Sequence, residues 1–547
     1  MKEKIQKLLE KALDKAISKK SLSNKENIEV AESLPQFGDF SSNIAFKLSA
    51  KEKKSPQDIA KIILDNFPKD KDIKNIDIAP NGFINFTISN QFYLSKLKHI
   101  LNNKTFGKSN IGKGKKIILE YLSANPTGPL TAGNSRGGFI GDVLANILQF
   151  LGYGITREYY INDYGKQIET LGKSVELRYR ESLGKKVKFP KDMYPAQYII
   201  DIVNEIKDKD ADKWLKKNIK ERTKYFSDFA IDRIVNEIKK TLVQAGVNYD
   251  NWFSETSLHK SGFVKKAAED LIKKKLTYNK GKAIWFKAKE FGDDKDRVIV
   301  RSNGEPTYLL SDIAYHRNKF TRRFDKAIDI WGTDHHGYIK RLQSALTAFG
   351  FKNRLDIILN QFVTLKENGK EIRMSKRKGT FVTLQEVLDM IGSDAVRFFF
   401  ISKSNDTHLD LNINLVKEKS QQNPLFYSQY ANARINSVLE KINQKELKLD
   451  FTKINLESLT SPFERVLIKE LISFEDVVLS AGEKYEPYRL IHYLISLATA
   501  FHAFYEKERI IIDDKKTRQA RVALVIACRN IFKNVFRLIG ISAPKKM

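Results

Sequence analysis

The run NPTGPLTAGN, Asn125 to Asn134, has the composition of a phosphate cradle. Gly128 and Gly133 let backbone come close to a ligand. Pro126 lies in the same turn, and Thr131 and Asn134 offer neutral hydrogen-bond donors. An apolar-periodic segment follows, and the free N–H groups of a helix that begins there attract an anion. A turn of this kind also serves packing alone in many α/β proteins. A second polar cluster, Gly332, Thr333, Asp334, His335 and His336, ends the apolar run KAIDIW. Neighbouring residues on a helix do not face each other, so the adjacent histidines point to nucleotide contacts or capping, and no metal site is expected. A third segment, Met374-Ser375-Lys376-Arg377-Lys378-Gly379, sets three cations beside a glycine. That suits a triphosphate whose charge must be neutralised as pyrophosphate leaves, or a solvated basic loop.

These groups need elements to hold them. KKIILEY reads as a strand, and Ile140, Val143, Leu144, Ile147, Leu148 and Leu151 recur at helical spacing after the loop. ITREYYI is a second strand, which completes a nucleotide-binding βαβ unit. Ligands of open α/β sheets bind at the carboxyl ends of strands, so the Asn125 loop and the Gly332 cluster can face one crevice. Asn368-Gly369 between extended runs predicts a hairpin, and Thr383 with Glu386 predicts a capping box opening a helix. Further out, helices are expected over 1–19 and 56–66, with a strand near NGFINFTI. The stretch 165–290 is Lys/Glu-rich and reads as a mostly helical insertion between two halves of a parallel sheet. From about 415 the pattern is helical throughout, best over 488–505 and 517–538.

Composition narrows the partner. With 96 Lys+Arg against 66 Asp+Glu the formal charge is +30, so a polyanion is the economical partner, and a lysine-rich codon bias is the bland alternative. The single cysteine, Cys528, excludes an intramolecular disulfide and a cysteine zinc cage, which fits a reducing cytoplasm. No apolar run is long enough to span a bilayer. The N-terminal stripe of Ile5, Leu8, Leu9, Ala12, Leu13, Ala16 and Ile17 is amphipathic and unlike a signal peptide.

Together the motifs resemble the class I aminoacyl-tRNA synthetases, specifically the arginyl family, over essentially the whole chain. SANPTGPL with TAGNSRG is similar to the first signature loop, REYYINDYGKQ to the strand and turn after it, GTDHHGY to the second-half strand end, and MSKRKG to the lysine loop. LPQFGDFSSNIAFKLS resembles an N-terminal domain that touches the tRNA elbow, and FYSQYANARI the start of an anticodon-binding bundle.

The resemblance implies three parts. These are an α+β domain over 1–107, a Rossmann-type catalytic domain over 108–410, and an all-α anticodon-binding bundle over 411–547. It further implies ATP-dependent ligation of L-arginine to tRNA(Arg) through arginyl-adenylate, with ATP and Mg2+, by a cytoplasmic monomer. A tRNA-binding homologue without ligase activity is the alternative. Neither step of the reaction needs a protein nucleophile. The arginyl enzymes commonly need bound tRNA before they activate the amino acid, and the resemblance implies the same here.

By resemblance Thr131, Gly133, Asn134, Lys376 and Lys378 carry catalysis. Glu120, Asn125, Glu255, Tyr308 and Asp312 hold arginine. Pro126, Gly128, Gly133, Gly332, Asp334, His335, Met374, Ser375 and Lys376 hold ATP. A guanidinium wants carboxylates and an aromatic face, and Tyr308 and Asp312 share a helical face at i and i+4. On spacing alone they read equally as a core tyrosine and a surface carboxylate.

The first signature usually reads His-x-Gly-His, and here Thr131 and Asn134 stand in both histidine places. Phe37, Asn43, Tyr427, Tyr430, Arg529 and Lys533 are expected to contact tRNA. On the last helix Arg518, Arg521, Arg529, Lys533 and Arg537 share one arc, either a phosphate-contacting stripe or a solvated face, beside apolar Leu524, Cys528, Ile531 and Val535.

Overall fold

A computed structural model describes residues 1–372, 381–447, 450–451 and 453–547. Its contacts divide the chain into two compact units. One comprises 1–104, 442–472 and 503–530, and the other 105–441, 473–502 and 531–547.

The first unit opens with the amphipathic helix Lys2–Ser18, which buries Ile5, Leu9, Ala12, Leu13 and Ala16. A four-stranded antiparallel sheet follows, formed by Ala31–Glu32, Phe40–Ser42, Ile84–Ile88 and Ile73–Ile78 in that spatial order. The helix Pro56–Asp65 starts where Ser55 accepts from the Asp58 N–H and proline takes the first helical position. Residues 1–104 of this unit carry the mixed helices and strands expected from the sequence, and the unit adds 442–472 and 503–530 from the C-terminal region.

The second unit is built on a five-stranded parallel sheet. We number its strands β1 (Lys116–Tyr121), β2 (Gly154–Ile161), β3 (Asn251–Ser254), β4 (Lys326–Gly332) and β5 (Leu355–Asn360). Their order is β5-β4-β1-β2-β3. The order reverses between β1 and β4, which opens a crevice at the carboxyl ends of those two strands. Helix α1 (Arg136–Phe150) connects β1 to β2, and helix α2 (Tyr308–Thr321) precedes β4.

The expected stripe of α1 is buried, but so is nearly every residue from Arg136 to Ala145. This helix is therefore covered on both sides rather than amphipathic. Gly141 lies flat on β1, where a Cβ would come within 2.2 Å of the Tyr121 ring. On the outer side Gly482 packs on Leu151 and Ile147, and the Asn146 side chain donates to the Leu538 carbonyl at 3.0 Å.

The insertion differs from its expectation. Helices Lys166–Ser182, Gln197–Asp210 and Ile219–Gln244 form its first part, but β3 then returns to the sheet edge. A three-stranded antiparallel sheet follows, from Thr277–Lys280, Ala283–Phe286 and Arg297–Val300. The aromatics of NWFS explain β3, because Trp252 stacks on Tyr159 and Phe253 on Tyr160 of β2.

The hairpin forms as expected, with Val363–Glu367 paired to Lys370–Glu371 and positive φ at Asn368 and Gly369. The capping box of Thr383 and Glu386 opens helix Leu384–Ile391. The C-terminal helices include Tyr488–Lys507 and Lys515–Ile539, close to the expected bounds.

Candidate active site

A cavity of about 880 Å³ occupies the switch point. Its lining includes Glu120, Asn125, Gly128, Thr131, Asn134, Tyr308, Asp312, Gly332, Asp334 and His335. Sequence segments far apart thus meet in one crevice. Pro126 is buried outside the lining, and Glu255 is buried behind it at the start of the helix Glu255–Lys260. Gly133 also lies outside the lining, where a Cβ would meet the Val363 carbonyl oxygen at 3.3 Å. Close approach of the strand Val363–Glu367 accounts for that glycine. Gly128 is covered by the Tyr198 ring, whose hydroxyl donates to the Thr127 carbonyl at 2.5 Å.

One end of the cavity is a buried ionic network. Lys319, fully buried on α2, donates to Glu120 of β1 at 2.6 Å and to Asp329 of β4 at 2.8 Å. Burial alone would lower the lysine pKa, but the carboxylates of Asp329, Glu120 and Glu158 outweigh it and hold the ammonium charged. The Asp329 carboxyl, opposed by burial, is kept low by Lys319 and His316. His316 places one ring nitrogen 2.6 Å from Asp329 and the other 2.8 Å from the Asp312 carbonyl. Beneath them Glu158 accepts from Tyr315 at 2.7 Å and from Arg322.

Glu120, expected as an open pocket carboxylate, is therefore already paired with a cation and also accepts from Ser123 at 3.0 Å. Asp312 is different. It is partly exposed and lines the cavity, it accepts from Tyr338 at 2.7 Å, and desolvation raises its pKa to about 6. Nearby Tyr160 has its pKa raised by burial and by the charges of Glu255, Asp312 and Glu120. At this end of the cavity Asp312 and Glu255 have no lysine or arginine partner among the described residues, Glu255 lying 3.5 Å from His259, and Tyr308 presents an open aromatic face at the start of α2. Asn125 is exposed, and its side-chain oxygen accepts from Asn162 at 3.1 Å.

The other end joins the signature loop to the segment that follows the basic loop. Thr131 and Thr383 form a bridge, and Ala132 N–H donates to the Val382 carbonyl at 2.9 Å. Phe381, Thr383 and Asn360 complete this wall with Gly137 at the start of α1. Asp334 and His335 stand exposed at the rim, 3.5 Å apart. Met374, Ser375, Lys376 and Lys378 lie outside the described residues. Glu120, His316 and Asp329 have metal-ligand spacing, but the Lys319 ammonium already fills the place between the two carboxylates.

The residues expected to meet tRNA are placed as follows. Phe37 is half exposed, and Asn43 starts the helix Ile44–Glu52 without a side-chain cap. Tyr427 packs on His502, and Tyr430 lies between Phe426 and the Arg434 guanidinium. Arg529 and Lys533 are exposed, whereas Arg518 pairs with Glu446 and Arg521 with Glu464 and Glu508. Leu524, Cys528, Ile531 and Val535 are all buried.

Three groups escaped the sequence reading: Lys319, Arg136 and the wall Tyr194–Tyr198. One signal was available for the first. Tyr308, Asp312, Tyr315, His316 and Lys319 recur at i, i+4, i+7, i+8 and i+11, a polar stripe at the spacing of a buried helix face. Arg136 gave none. Its guanidinium is buried and donates to the carbonyls of Phe400, Lys403, Ser404 and Thr407, and desolvation lowers its pKa to about 10.

Three family models cover the chain. They are the arginyl tRNA synthetase N terminal domain over residues 3–88, the class I (R) tRNA synthetase catalytic domain over 96–437, and the DALR anticodon binding domain over 428–547. The arginine–tRNA ligase of Moorella thermoacetica is 43% identical over 93% of this chain and 92% of its own length. That of Bacillus subtilis is 41% identical over the same shares of the two chains. Among solved structures the Thermus thermophilus arginyl-tRNA synthetase shares the fold, with a TM-score of 0.79 at 20% identity over the full length of both chains. A parallel sheet with its crevice at the β1/β4 reversal, end-to-end family matches and relatives of this identity lead to one conclusion: the chain belongs to the arginyl-tRNA synthetase family of class I.

Proposed function

We propose that this chain ligates L-arginine to tRNA(Arg) at the expense of ATP, through an arginyl-adenylate. The observation that carries the reading is Asp312, a carboxylate without a lysine or arginine partner among the described residues, on the inner wall of a cavity whose opposite end is a helix N-terminus and glycine loop. A planar, permanently charged guanidinium completes that carboxylate, with Glu255 behind it and Tyr308 across its face. Asn125 takes the α-amino or carboxylate end. Lys319 holds Glu120 in place, so the net negative charge left for the ligand comes mainly from Asp312 and Glu255.

ATP lies along Gly128, Thr131, Asn134, Gly332, Asp334 and His335, with its triphosphate toward the segment that carries Lys376 and Lys378. The Thr131–Thr383 bridge supports this, because it seats the end of that segment on the signature loop. The arginine carboxylate attacks the α-phosphorus in line and pyrophosphate leaves. The 3′-terminal adenosine of tRNA then takes the arginyl group through a ribose hydroxyl, and AMP leaves. Both steps rest on positioning and charge stabilisation. Mg2+ accompanies the triphosphate in this reading. The buried trio Glu120, His316 and Asp329 does not fit it, since Lys319 occupies the trio's centre.

Residues 1–107 and 411–547 serve tRNA binding, and 108–410 the chemistry. No feature favours a tRNA-binding homologue without ligase chemistry. ATP–pyrophosphate exchange with arginine, run with and without tRNA and compared with lysine and citrulline, tests the reading. Exchange confined to arginine is expected. Wild-type protein that binds arginine and tRNA yet forms no arginyl-tRNA would overturn it.

A further inference from the structure

The turn that ends β2 has no part in the reading above. It runs Asn162-Asp163-Tyr164-Gly165, and Asp163 and Tyr164 stand outside the cavity lining. The Asp163 carboxylate nevertheless reaches the chain on both sides of Glu255. One of its oxygens accepts from the Ser254 hydroxyl at 2.6 Å and the other from the Thr256 N–H at 2.8 Å. The Asp163 carbonyl also accepts from the Thr256 hydroxyl, at 2.9 Å.

Tyr164 extends the same contact. Its ring stacks on His259 with centroids 3.8 Å apart and planes 14° from parallel. His259 in turn lies 3.5 Å from the Glu255 carboxylate and 3.3 Å from the hydroxyl of Ser311, the residue before Asp312 on α2. The turn therefore touches the carriers of both pocket carboxylates.

Helix formation does not require this arrangement, because the helix Glu255–Lys260 already has a cap in Ser254, which accepts from the Ser257 N–H at 3.3 Å. A further carboxylate beside Glu255 adds like charge, which is unfavourable in the free pocket and favourable once a cation is bound. Position is what the turn supplies. Glu255 follows β3, a strand of four residues at the sheet edge, and a displacement of about 1 Å at such a site is costly.

We infer that Asp163 is a positioning residue of the arginine site: it holds Glu255 where its charge and that of Asp312 act on one guanidinium, and so sets the preference for a charged side chain over a neutral one of the same shape. The inference rests on the proposed arginine pocket.

The test measures arginine and citrulline affinity of the full chain by calorimetry, with the KM values for ATP and tRNA in charging alongside. Asp163→Ala is expected to weaken arginine binding about 10- to 100-fold, the size of one hydrogen bond to a charged group, and citrulline binding far less. The KM values for ATP and tRNA should stay unchanged. Asp163→Asn, which keeps one acceptor oxygen, should fall between wild type and Asp163→Ala. In a Glu255→Gln background Asp163→Ala should change arginine affinity by less than about 2-fold, because a residue that acts through Glu255 then has no charge left to position. The cycle with Asp163→Asn decides the case if Asp163→Ala does not fold.

An Asp163 variant that loses stability but keeps the arginine-to-citrulline ratio, or whose loss simply adds to that of Glu255→Gln, would reduce the turn to a structural clamp and overturn the inference. A Glu255→Gln variant that binds arginine as the wild type does would overturn the pocket reading and the inference with it. Wild-type protein that binds arginine and obeys the cycle but charges no tRNA would overturn the ligase reading and leave Asp163 in its role.

Discussion

At the scale of single residues the site turns on how each charge is compensated. Asp312 has no lysine or arginine partner among the described residues, and desolvation lifts its pKa from the ordinary aspartate range to about 6. Because the folded value is the higher one, the folded free protein holds this proton between pH of about 4 and 6 where the unfolded chain has lost it, so ionising Asp312 removes stability as pH rises through 6. A bound guanidinium reverses the preference and favours the carboxylate. Arginine binding near pH 6 should therefore release about half a proton, and below pH 6 the affinity should fall about tenfold per unit. Calorimetry in buffers of different ionisation enthalpy checks this, and no proton release at pH 6 in the wild type would remove Asp312 from the pocket. Asp312→Asn leaves the guanidinium partly unpaired, which costs about 3 to 5 kcal/mol in kcat/KM for arginine, with ATP binding retained. Thr131 and Asn134 supply neutral donors where the family signature has imidazoles. Thr131→Ala and Asn134→Ala are each expected to lower turnover about 10- to 1,000-fold, with smaller changes in ATP affinity, because such donors act most on the charge that develops during the reaction. Steady-state arginylation kinetics measure this directly. Asp312 was expected in the pocket through the family resemblance, because its spacing from Tyr308 alone read equally as that of a surface carboxylate, and its partner Tyr338 lies 26 residues along the chain. Glu120 was legible only as a carboxylate, since Lys319, which neutralises it, lies 199 residues along the chain.

At the scale of elements, α2 is fastened to two strands by one ammonium. Lys319 bridges Glu120 on β1 and Asp329 on β4, the two strands that flank the crevice. Lys319→Met removes the cation and leaves two buried carboxylates facing each other, so a loss of about 3 to 5 kcal/mol is expected. Thermal unfolding reads this loss, and an unaltered midpoint would show that the network does not hold the elements. The contact between α1 and β1 depends on Gly141. Gly141→Ala drives a methyl group into the Tyr121 ring and should cost about 1 to 3 kcal/mol or more, whereas Gly337→Ala, with nothing within 4 Å, should be nearly neutral in the same melt. The legible elements were those specified locally. The Asn368-Gly369 turn follows from two residues that accept positive φ, and the Thr383 cap from a partner three positions on. Strand β3 was illegible because its four residues are short for a strand, sit in Lys/Glu-rich sequence, and are ordered by the aromatic rings of β2. The burial of α1 on both sides was hidden for a similar reason, since the second covering layer is supplied by residues near 482 and 538.

At the scale of the whole molecule, the formal charge of +30 is the excess left after every carboxylate is counted, and it does not say which of the 96 cations are free. Some are paired locally, as Arg521 is with Glu464 and Glu508 and Arg518 with Glu446. A stripe read from helical periodicity alone counted those arginines as available, because their acidic partners lie outside the last helix. Arg529 and Lys533 are exposed on the same helix and form no ion pair among the described residues. If the excess charge serves tRNA, affinity should fall log-linearly with salt, and each phosphate contact removed should flatten the slope by about 0.7 to 0.9. The double variant Arg529→Ser with Lys533→Ser should therefore flatten it by about 1 to 2, whereas Arg518→Ser, already paired, should change the slope by much less than 0.7 or so and act instead on stability. In the proposed reading arginine meets Asp312 inside the cavity, so its KM should vary far less over the same salt range. Equilibrium tRNA binding across a salt series, with arginine KM measured alongside, separates these effects. An equal loss of slope from Arg518→Ser and Arg529→Ser would mean that the ion pairs of the last helix open to receive the phosphate backbone, and the charge held locally would then belong to the tRNA surface as well.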